Sequence, residues 1–217
     1  MDELFDVGPH SVGLFFADWY GPPDRTGEIP GGAERLPGPL QAWYAAASSY
    51  STPVTFHNTI LEPDEVEEHD GKLVFWLENQ EVYEWAADPD DDDPLVYERA
   101  TVEGEPWHAT GVRLSAFLVS VAVFEAVLGA EHLIHAADLT GAERDALLAP
   151  LRPLPMPGPT VGAQLYAGDG LLAFVGPHRD AEQTPTPSTT CWAYLAATDA
   201  HRLRTLRSSA TSLRNRC

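Results

Sequence analysis

The chain has 217 residues, and its 33 Asp and Glu outnumber its 13 Lys and Arg, which gives a formal net charge of −20. A chain of this length, with 44% apolar residues and six Trp, can bury a core without disulfides or metals, so composition excludes a disordered protein. Residues 1–200 hold 33 acids and eight bases, a balance that disfavours nucleic acid and anionic membranes as partners and favours a basic protein.

The N-terminal third predicts one helix. Residues 12–16 are apolar and are followed by Gly- and Pro-rich sequence, which favours a short extended segment and then a loop. We therefore take residues 1–35 as an N-terminal extension. Apolar side chains recur at helical spacing over residues 40–50, and Pro53 closes the helix predicted there.

The central part of the chain predicts antiparallel strands. Residues 72–77 and 81–86 are rich in aromatic and β-branched residues, which favours two strands turning near Asn79, or one strand bent there. The run 88–94 contains five Asp and two Pro, so it is predicted to be a loop. The next predicted features are a strand at residues 95–99, a turn at Gly104 and a short partner strand that contains Trp107.

The C-terminal half predicts three helices and three strands. Residues 114–128 form the clearest apolar helix, with Gly129 at its end. The capping-box spacing of Thr140 and Glu143 starts a second helix. The remaining predictions are an irregular segment at 150–159, a hairpin turning at 168–170 between strands 161–166 and 171–175, a strand at 190–197, and a last helix that is capped by Asp199 and presents Leu203 and Leu206.

The cysteines and the N-terminal residues favour a cytoplasmic protein. Cys191 and Cys217 provide no disulfide framework. Residues 1–6 lack the positive start and apolar stretch of a signal peptide, and the longest apolar segment, 117–128, is too short to cross a bilayer.

No motif assigns a catalytic residue, a cofactor or a metal. The Asp run lacks the ligand spacing of a calcium loop, and the nucleophile-elbow, dinucleotide and phosphate-loop motifs are missing. His132 and His135, followed by Asp138, lack the i, i+4 spacing of zinc hydrolases and are expected in the turn after the long helix. A metal-dependent hydrolase that uses scattered Asp and His stays the alternative from the enzyme class.

Aromatic residues of the central strands alternate with polar ones, so about half should face the core. The other half would lie on an exposed face, where aromatic side chains surrounded by acids form a plausible protein interface. The alternative is that the acidity only maintains solubility.

The central block resembles the SUKH superfamily, and within it the SUKH-like immunity proteins of actinobacteria. The resemblance lies in an apolar strand followed by Glu78-Asn79-Gln80, a strand ending in Trp85, the run Asp93-Pro94-Leu95-Val96-Tyr97, Trp107, and Leu114-Ser115-Ala116-Phe117-Leu118 at the start of a helix. Glu81 stands where the family often has Gly. The similarity covers residues 36–206 and leaves a basic tail at residues 207–217.

This resemblance implies a single α+β domain with a mixed, mostly antiparallel sheet flanked by helices and no catalytic residues. It implies an immunity protein that neutralises a cognate toxin; a regulatory scaffold protein with a non-toxin partner is a further alternative. Combined with the acidity, it predicts that the chain covers a basic surface of a toxin. The acidic residues 64–70 are a second candidate for this contact, besides the residues named next. The predicted partner-binding residues are Glu78, Gln80, Tyr83, Glu84, Trp85, Asp88, Asp90, Asp91, Asp92 and Asp93.

Overall fold

The fold is described from a computed structural model, in residues 1–8, 10–160, 162–177 and 190–209. The helices are α1 (Ser11–Tyr20), α2 (Gly38–Ala47), α3 (Leu114–Leu128), α4 (Gly141–Leu148) and α5 (Ala200–Ser209). The strands are β1 (Thr59–Ile60), β2 (Glu68–His69), β3 (Lys72–Leu77), β4 (Tyr83–Ala87), β5 (Leu95–Ala100), β6 (His108–Arg113), β7 (His132–Leu139), β8 (Arg152–Pro157), β9 (Gln164–Gly168), β10 (Leu171–Pro177) and β11 (Cys191–Ala197). The predicted α+β class is confirmed.

The strands form two antiparallel sheets rather than one mixed sheet. Sheet 1 has the order β1-β3-β4-β5-β6, with β2 also paired to β3. Sheet 2 has the order β7-β11-β10-β9-β8. Every observed strand pair in both sheets is antiparallel.

Helix α3 lies between the two sheets, with the bounds that its sequence predicts. Twelve of its 15 residues are buried, as expected for a helix that is apolar on all sides. The Phe117 ring packs against Phe75 and Trp76 of sheet 1, with centroid separations of 6.0 and 5.7 Å. The Phe124 ring lies 5.1 Å from Phe174 of sheet 2. The helix therefore joins the two sheets in one core.

Residues 12–16 belong to helix α1 and not to an extended segment. Phe15 and Phe16 are fully buried, and the Phe16 ring lies 5.3 Å from the ring of Trp43 on α2. Buried Val12 and partly buried Trp19 complete the helical spacing. Because this helix packs on α2 and α3, residues 1–35, predicted as an N-terminal extension, contribute to the main core.

Helices α4 and α5 cover the other face of sheet 2. Leu147, Leu148, Leu203 and Leu206 pack there with buried residues of β10 and β11. The predicted capping box at the start of α4 is confirmed, since Thr140 and Glu143 bond each other's backbone N–H groups. The cap of α5 is confirmed as well, because the Asp199 carboxylate accepts the N–H groups of residues 201 and 202.

Two segments of sheet 2 differ from the prediction. Residues 150–159, expected to be irregular, contain edge strand β8, where Pro is tolerated because one side of an edge strand needs no hydrogen-bond donor. Residues 131–135, expected in a turn, enter edge strand β7. The predicted hairpin is confirmed by the pairing of Gly168 with Leu171. Residues 207–209 of the predicted basic tail form the end of α5, and its remainder, 210–217, lies outside the described residues.

None of the helices in the described ranges combines the length and the apolar character that crossing a membrane requires.

The β3–β4 turn forms at the predicted place, with the Glu78 N–H bonded to the Tyr83 carbonyl at 2.9 Å. Glu81 has a φ of +57°, a left-handed conformation that costs a residue with a side chain about 1–2 kcal/mol. Glycine adopts this conformation without strain but loses more entropy on folding. We therefore expect Glu81→Gly to raise the free energy of unfolding in urea by about 0.5–1 kcal/mol. Gln80→Gly, at a neighbour without a positive φ, is the control and should not stabilise; a loss of stability in Glu81→Gly would contradict the argument.

Candidate interaction surface

The negative charge is concentrated in sheet 1. Of the 33 acids, 17 lie between residues 62 and 105, the segment that contains β2–β5, together with only two bases, Lys72 and Arg99. The rest of the chain has a more even balance. Sheet 1 is therefore the first place to look for a contact that depends on the acidity of this protein.

The predicted partner-binding residues fall at the two ends of strand β4. The β3–β4 turn, residues 78–82, lies at one end of this strand, and the β4–β5 loop, residues 88–94, lies at the other. We call these places the turn end and the loop end. The five-residue strand between them spans roughly 16 Å at about 3.3 Å per residue. The predicted residues therefore do not form one compact site.

Trp85 and Glu84 are not available to a partner, which corrects two of the predicted residues. Trp85 is only 3% exposed, with its ring 4.2 Å from that of Trp76 and its Nε1 donating to Glu98 at 3.1 Å. Glu84 is 8% exposed, and its carboxylate accepts the Arg99 Nε–H at 2.6 Å. The first is a core residue, and the second belongs to an internal ion pair.

Arg99 and Lys72, the two bases of this segment, are both engaged by acids of sheet 1. Arg99 also donates to Asp70 at 2.7 Å, and its guanidinium lies over the Trp107 ring at 4.0 Å. The Lys72 Nζ donates to Asp88 at 2.5 Å, and this hydrogen bond raises the pKa of Lys72. Arg113 of β6, the third base of sheet 1, also pairs with an acid of this segment, so the remaining acids have no free Lys or Arg of their own sheet to neutralise them.

Several acids at the loop end hold the fold together. Asp88 accepts from the Tyr97 hydroxyl at 3.2 Å as well as from Lys72. Asp91 forms an ion pair with Arg113 at 3.0 Å. These contacts tie the loop to strands β3, β5 and β6.

Asp93 caps helix α3. Its carboxylate accepts both the N–H and the hydroxyl of Ser115 at 2.8 Å, at the positive end of the helix dipole. By contrast, Asp90 and Asp92 are exposed and make no side-chain hydrogen bond or ion pair with another described residue. Of the five Asp in this loop, only these two carry charge that is free for a partner.

The distinction gives a stability prediction. Asp93→Ala should lower the free energy of unfolding by about 1–2 kcal/mol, because the first turn of α3 loses its cap. Asp92→Ala, one residue away and exposed, should change it by less than about 0.5 kcal/mol. Urea unfolding of both variants measures the difference; equal effects would remove the capping role.

The turn end contains exposed apolar side chains that sequence reasoning missed. Among the described residues five large apolar side chains are strongly exposed, and three are Phe56 (46%), Val82 (55%) and Val102 (65%). Val82 and Val102 lie on adjacent turns, because the Thr101 N–H donates to the Val82 carbonyl at 3.1 Å. The sequence does contain a signal that could have identified both valines, because each is an apolar residue inside a Glu-rich turn.

Phe56 is joined to the same end through a buried carboxylate. Glu125 of α3 is fully buried and accepts the N–H groups of Phe56, His57 and Asn58 at 2.7, 2.7 and 2.9 Å. Burial raises the pKa of Glu125, and the three hydrogen bonds oppose this shift. The Asn58 Oδ1 in turn accepts the Asn79 N–H at 3.1 Å, which links the loop to the β3–β4 turn.

We define the turn-end patch as these apolar residues with the glutamates of the two turns. Its members are Phe56, Val82, Val102, Glu78, Glu81 and Glu103. Gln80, which was predicted to bind a partner, is exposed beside the patch, and Tyr83 is half-buried at its base.

The residues of the hydrolase alternative are not assembled into a metal site. His132, His135 and Asp138 lie along strand β7, and the His135 ring stacks on Tyr194 with a centroid separation of 4.5 Å. Within the described ranges, no group of three or more His, Cys, Asp or Glu side chains is arranged to hold a metal ion.

One open cleft of about 570 Å³ lies between the N-terminal residues, α1 and the β9–β10 hairpin. Its two guanidinium groups are already in contact with other side chains. Arg202 pairs with Asp169 and Asp199, and Arg152 lies over the Phe5 ring at 3.9 Å. The cleft is therefore not the place where the surplus of acids would act.

Comparison of the chain with protein-family models, with curated proteins and with solved structures found no match.

Proposed function

We propose that this chain is a non-enzymatic binding protein of the immunity type, which neutralises a cognate bacterial toxin by covering a basic surface of it. The observation that carries the proposal is the surplus of acids in sheet 1, whose three bases, Lys72, Arg99 and Arg113, are already engaged internally. Such a surface lowers the energy of a cationic protein near it and accelerates their encounter. The resemblance of the central block to the SUKH-like immunity proteins supports the same function.

The toxin that fits this chemistry is one with a cationic active surface. A nuclease has such a surface, because its groove must bind phosphates. An acidic protein occupies that groove as a competing polyanion and so blocks the substrate. The protein would act in the cytoplasm, where a nuclease meets its substrates.

The test is co-expression of this chain with the protein encoded by the adjacent reading frame. We expect the neighbouring protein alone to arrest growth of the host and the pair to restore it. The two purified proteins should also form a stable complex in 50 mM salt. Stable binding of a partner that does not arrest growth would contradict the immunity function and favour a regulatory scaffold. Absence of binding would contradict the immunity function.

A further inference from the structure

We propose that the turn-end patch is the central contact of this binding surface, and that its partner offers an apolar recess surrounded by Lys and Arg. The inference rests on the proposed function and adds to it a place on the molecule and the chemistry of the partner. Single exposed apolar residues are common on protein surfaces. Here, however, three of the five most exposed large apolar side chains of the described chain lie at one end of one sheet. Val82 and Val102 lie on hydrogen-bonded turns, and Phe56 lies on the loop before β1, which the Asn58–Asn79 hydrogen bond joins to the first of these turns.

The patch has the composition of an interface centre with a polar rim. Phe56, Val82 and Val102 provide apolar area that water leaves when a partner binds. Glutamates 78, 81 and 103 belong to the same two turns as Val82 and Val102, and neither turn contains Lys or Arg. The rim therefore selects a cationic partner. A second copy of this chain, nucleic acid and an anionic membrane would all meet repulsion there.

The backbone of the patch is fixed before binding. Glu125 holds the loop that carries Phe56, and the Phe56 ring lies against Gly129, where an added Cβ would come within 2.2 Å of the ring. The Val82 carbonyl and the Glu81 carbonyl both accept hydrogen bonds from Thr101, which joins the two turns. A surface that is already ordered loses little entropy on binding, so its contacts contribute fully to affinity.

The loop end differs in each of these respects. Most of its acids are engaged in internal contacts, as described above, and only Asp90 and Asp92 are free. It also offers no strongly exposed large apolar side chain among the described residues. We therefore expect the loop end to influence the approach of the partner, whereas the turn end determines how long the partner stays.

The experiment compares two double variants by surface plasmon resonance with the purified product of the adjacent reading frame. The variant Val82→Ser with Val102→Ser should weaken binding about 10-fold or more, mainly through faster dissociation. This change corresponds to a loss of about 1 kcal/mol or less of binding free energy for each side chain. Leu14→Ser with Ile29→Ser is the matched control, since both residues are 55% exposed but lie in α1 and in the segment between α1 and α2, outside the strands and turns of sheet 1. We expect it to change the Kd by less than about two-fold.

Thermal unfolding of both variants verifies that each remains folded, as expected for exposed positions. If wild type binds and the two double variants bind equally well, the patch is not the contact and this inference fails while the proposed function stands. If wild type does not bind the neighbouring protein at all, the proposed function fails and this inference fails with it.

Discussion

Replacing Trp85 by Ala should lower the free energy of unfolding by about 4 kcal/mol. The indole is 3% exposed, packs on Trp76 and Phe117, and fills the space between sheet 1 and α3, so its removal leaves a cavity in the main core. Urea unfolding followed by Trp fluorescence and circular dichroism measures the loss.

Trp107→Ala is the control for this experiment. Trp107 is half-buried and lies over Arg99 outside the core, so we expect a loss of no more than about 1 kcal/mol. A Trp85→Ala variant that keeps full stability would contradict the core assignment. It would also restore Trp85 as a surface residue available to a partner.

Replacing Glu125 by Ala should lower the free energy of unfolding by about 3 kcal/mol. The change leaves the N–H groups of Phe56, His57 and Asn58 without their acceptor, and an unpaired buried donor costs about 1–3 kcal/mol. The loop that carries Phe56 should also lose its protection from hydrogen exchange. Glu131→Ala, an exposed acid just beyond the same helix, is the control and should change stability by less than about 0.5 kcal/mol.

The Glu125 carboxyl has a pH dependence of opposite sign to that of most acids. Burial raises its pKa above the unfolded value of 4.5, so the folded state binds its proton more tightly than the unfolded state does. Its contribution to stability is therefore greatest below pH 4.5 and decreases as the pH rises through the folded pKa. Subtraction of the Glu125→Gln stability curve from the wild-type curve should show this decrease, and a difference that rises with pH would contradict it.

Local patterns predicted much of the fold because local physics determines those elements. Helix α3 is apolar on all sides and ends before Gly129, so its bounds follow from the sequence alone. The capping box at Thr140 and the turn at Gly168-Asp169-Gly170 depend on neighbouring residues and were predicted as well. Helix α1 was missed because residues 12–16 taken alone are equally apolar in a strand; the deciding position, Trp19, lies outside that window.

The division into two sheets depends on contacts that no local pattern contains. Strand β8 holds three Pro and still pairs with β9, because it lies at an edge of sheet 2. In sheet 1, a bulge at Phe75 shifts the register, so that both Phe75 and Trp76 face α3. In a regular strand, the alternation of side chains would place Phe75 and Trp76 on opposite faces of the sheet.

The candidate site was predicted only in part, for the same reason. The sequence located the acidic surplus and the turn at Asn79. It did not show that Arg113, 22 residues along the chain, pairs with Asp91, or that Ser115 binds Asp93. Nor did it single out Val82 and Val102, whose exposure depends on the register of strands β4 and β5.

The central claim is that the uncompensated acids of sheet 1 bind a basic partner, and the association rate with the product of the adjacent reading frame tests it most directly. Stopped-flow measurement should show that rate falling about 10-fold or more between 20 and 300 mM salt. Asp90→Lys with Asp92→Lys should slow association at low salt and flatten this dependence more than Glu81→Lys with Glu103→Lys, which changes the net charge equally. An association rate that is independent of salt, or unaffected by either pair, would contradict the account.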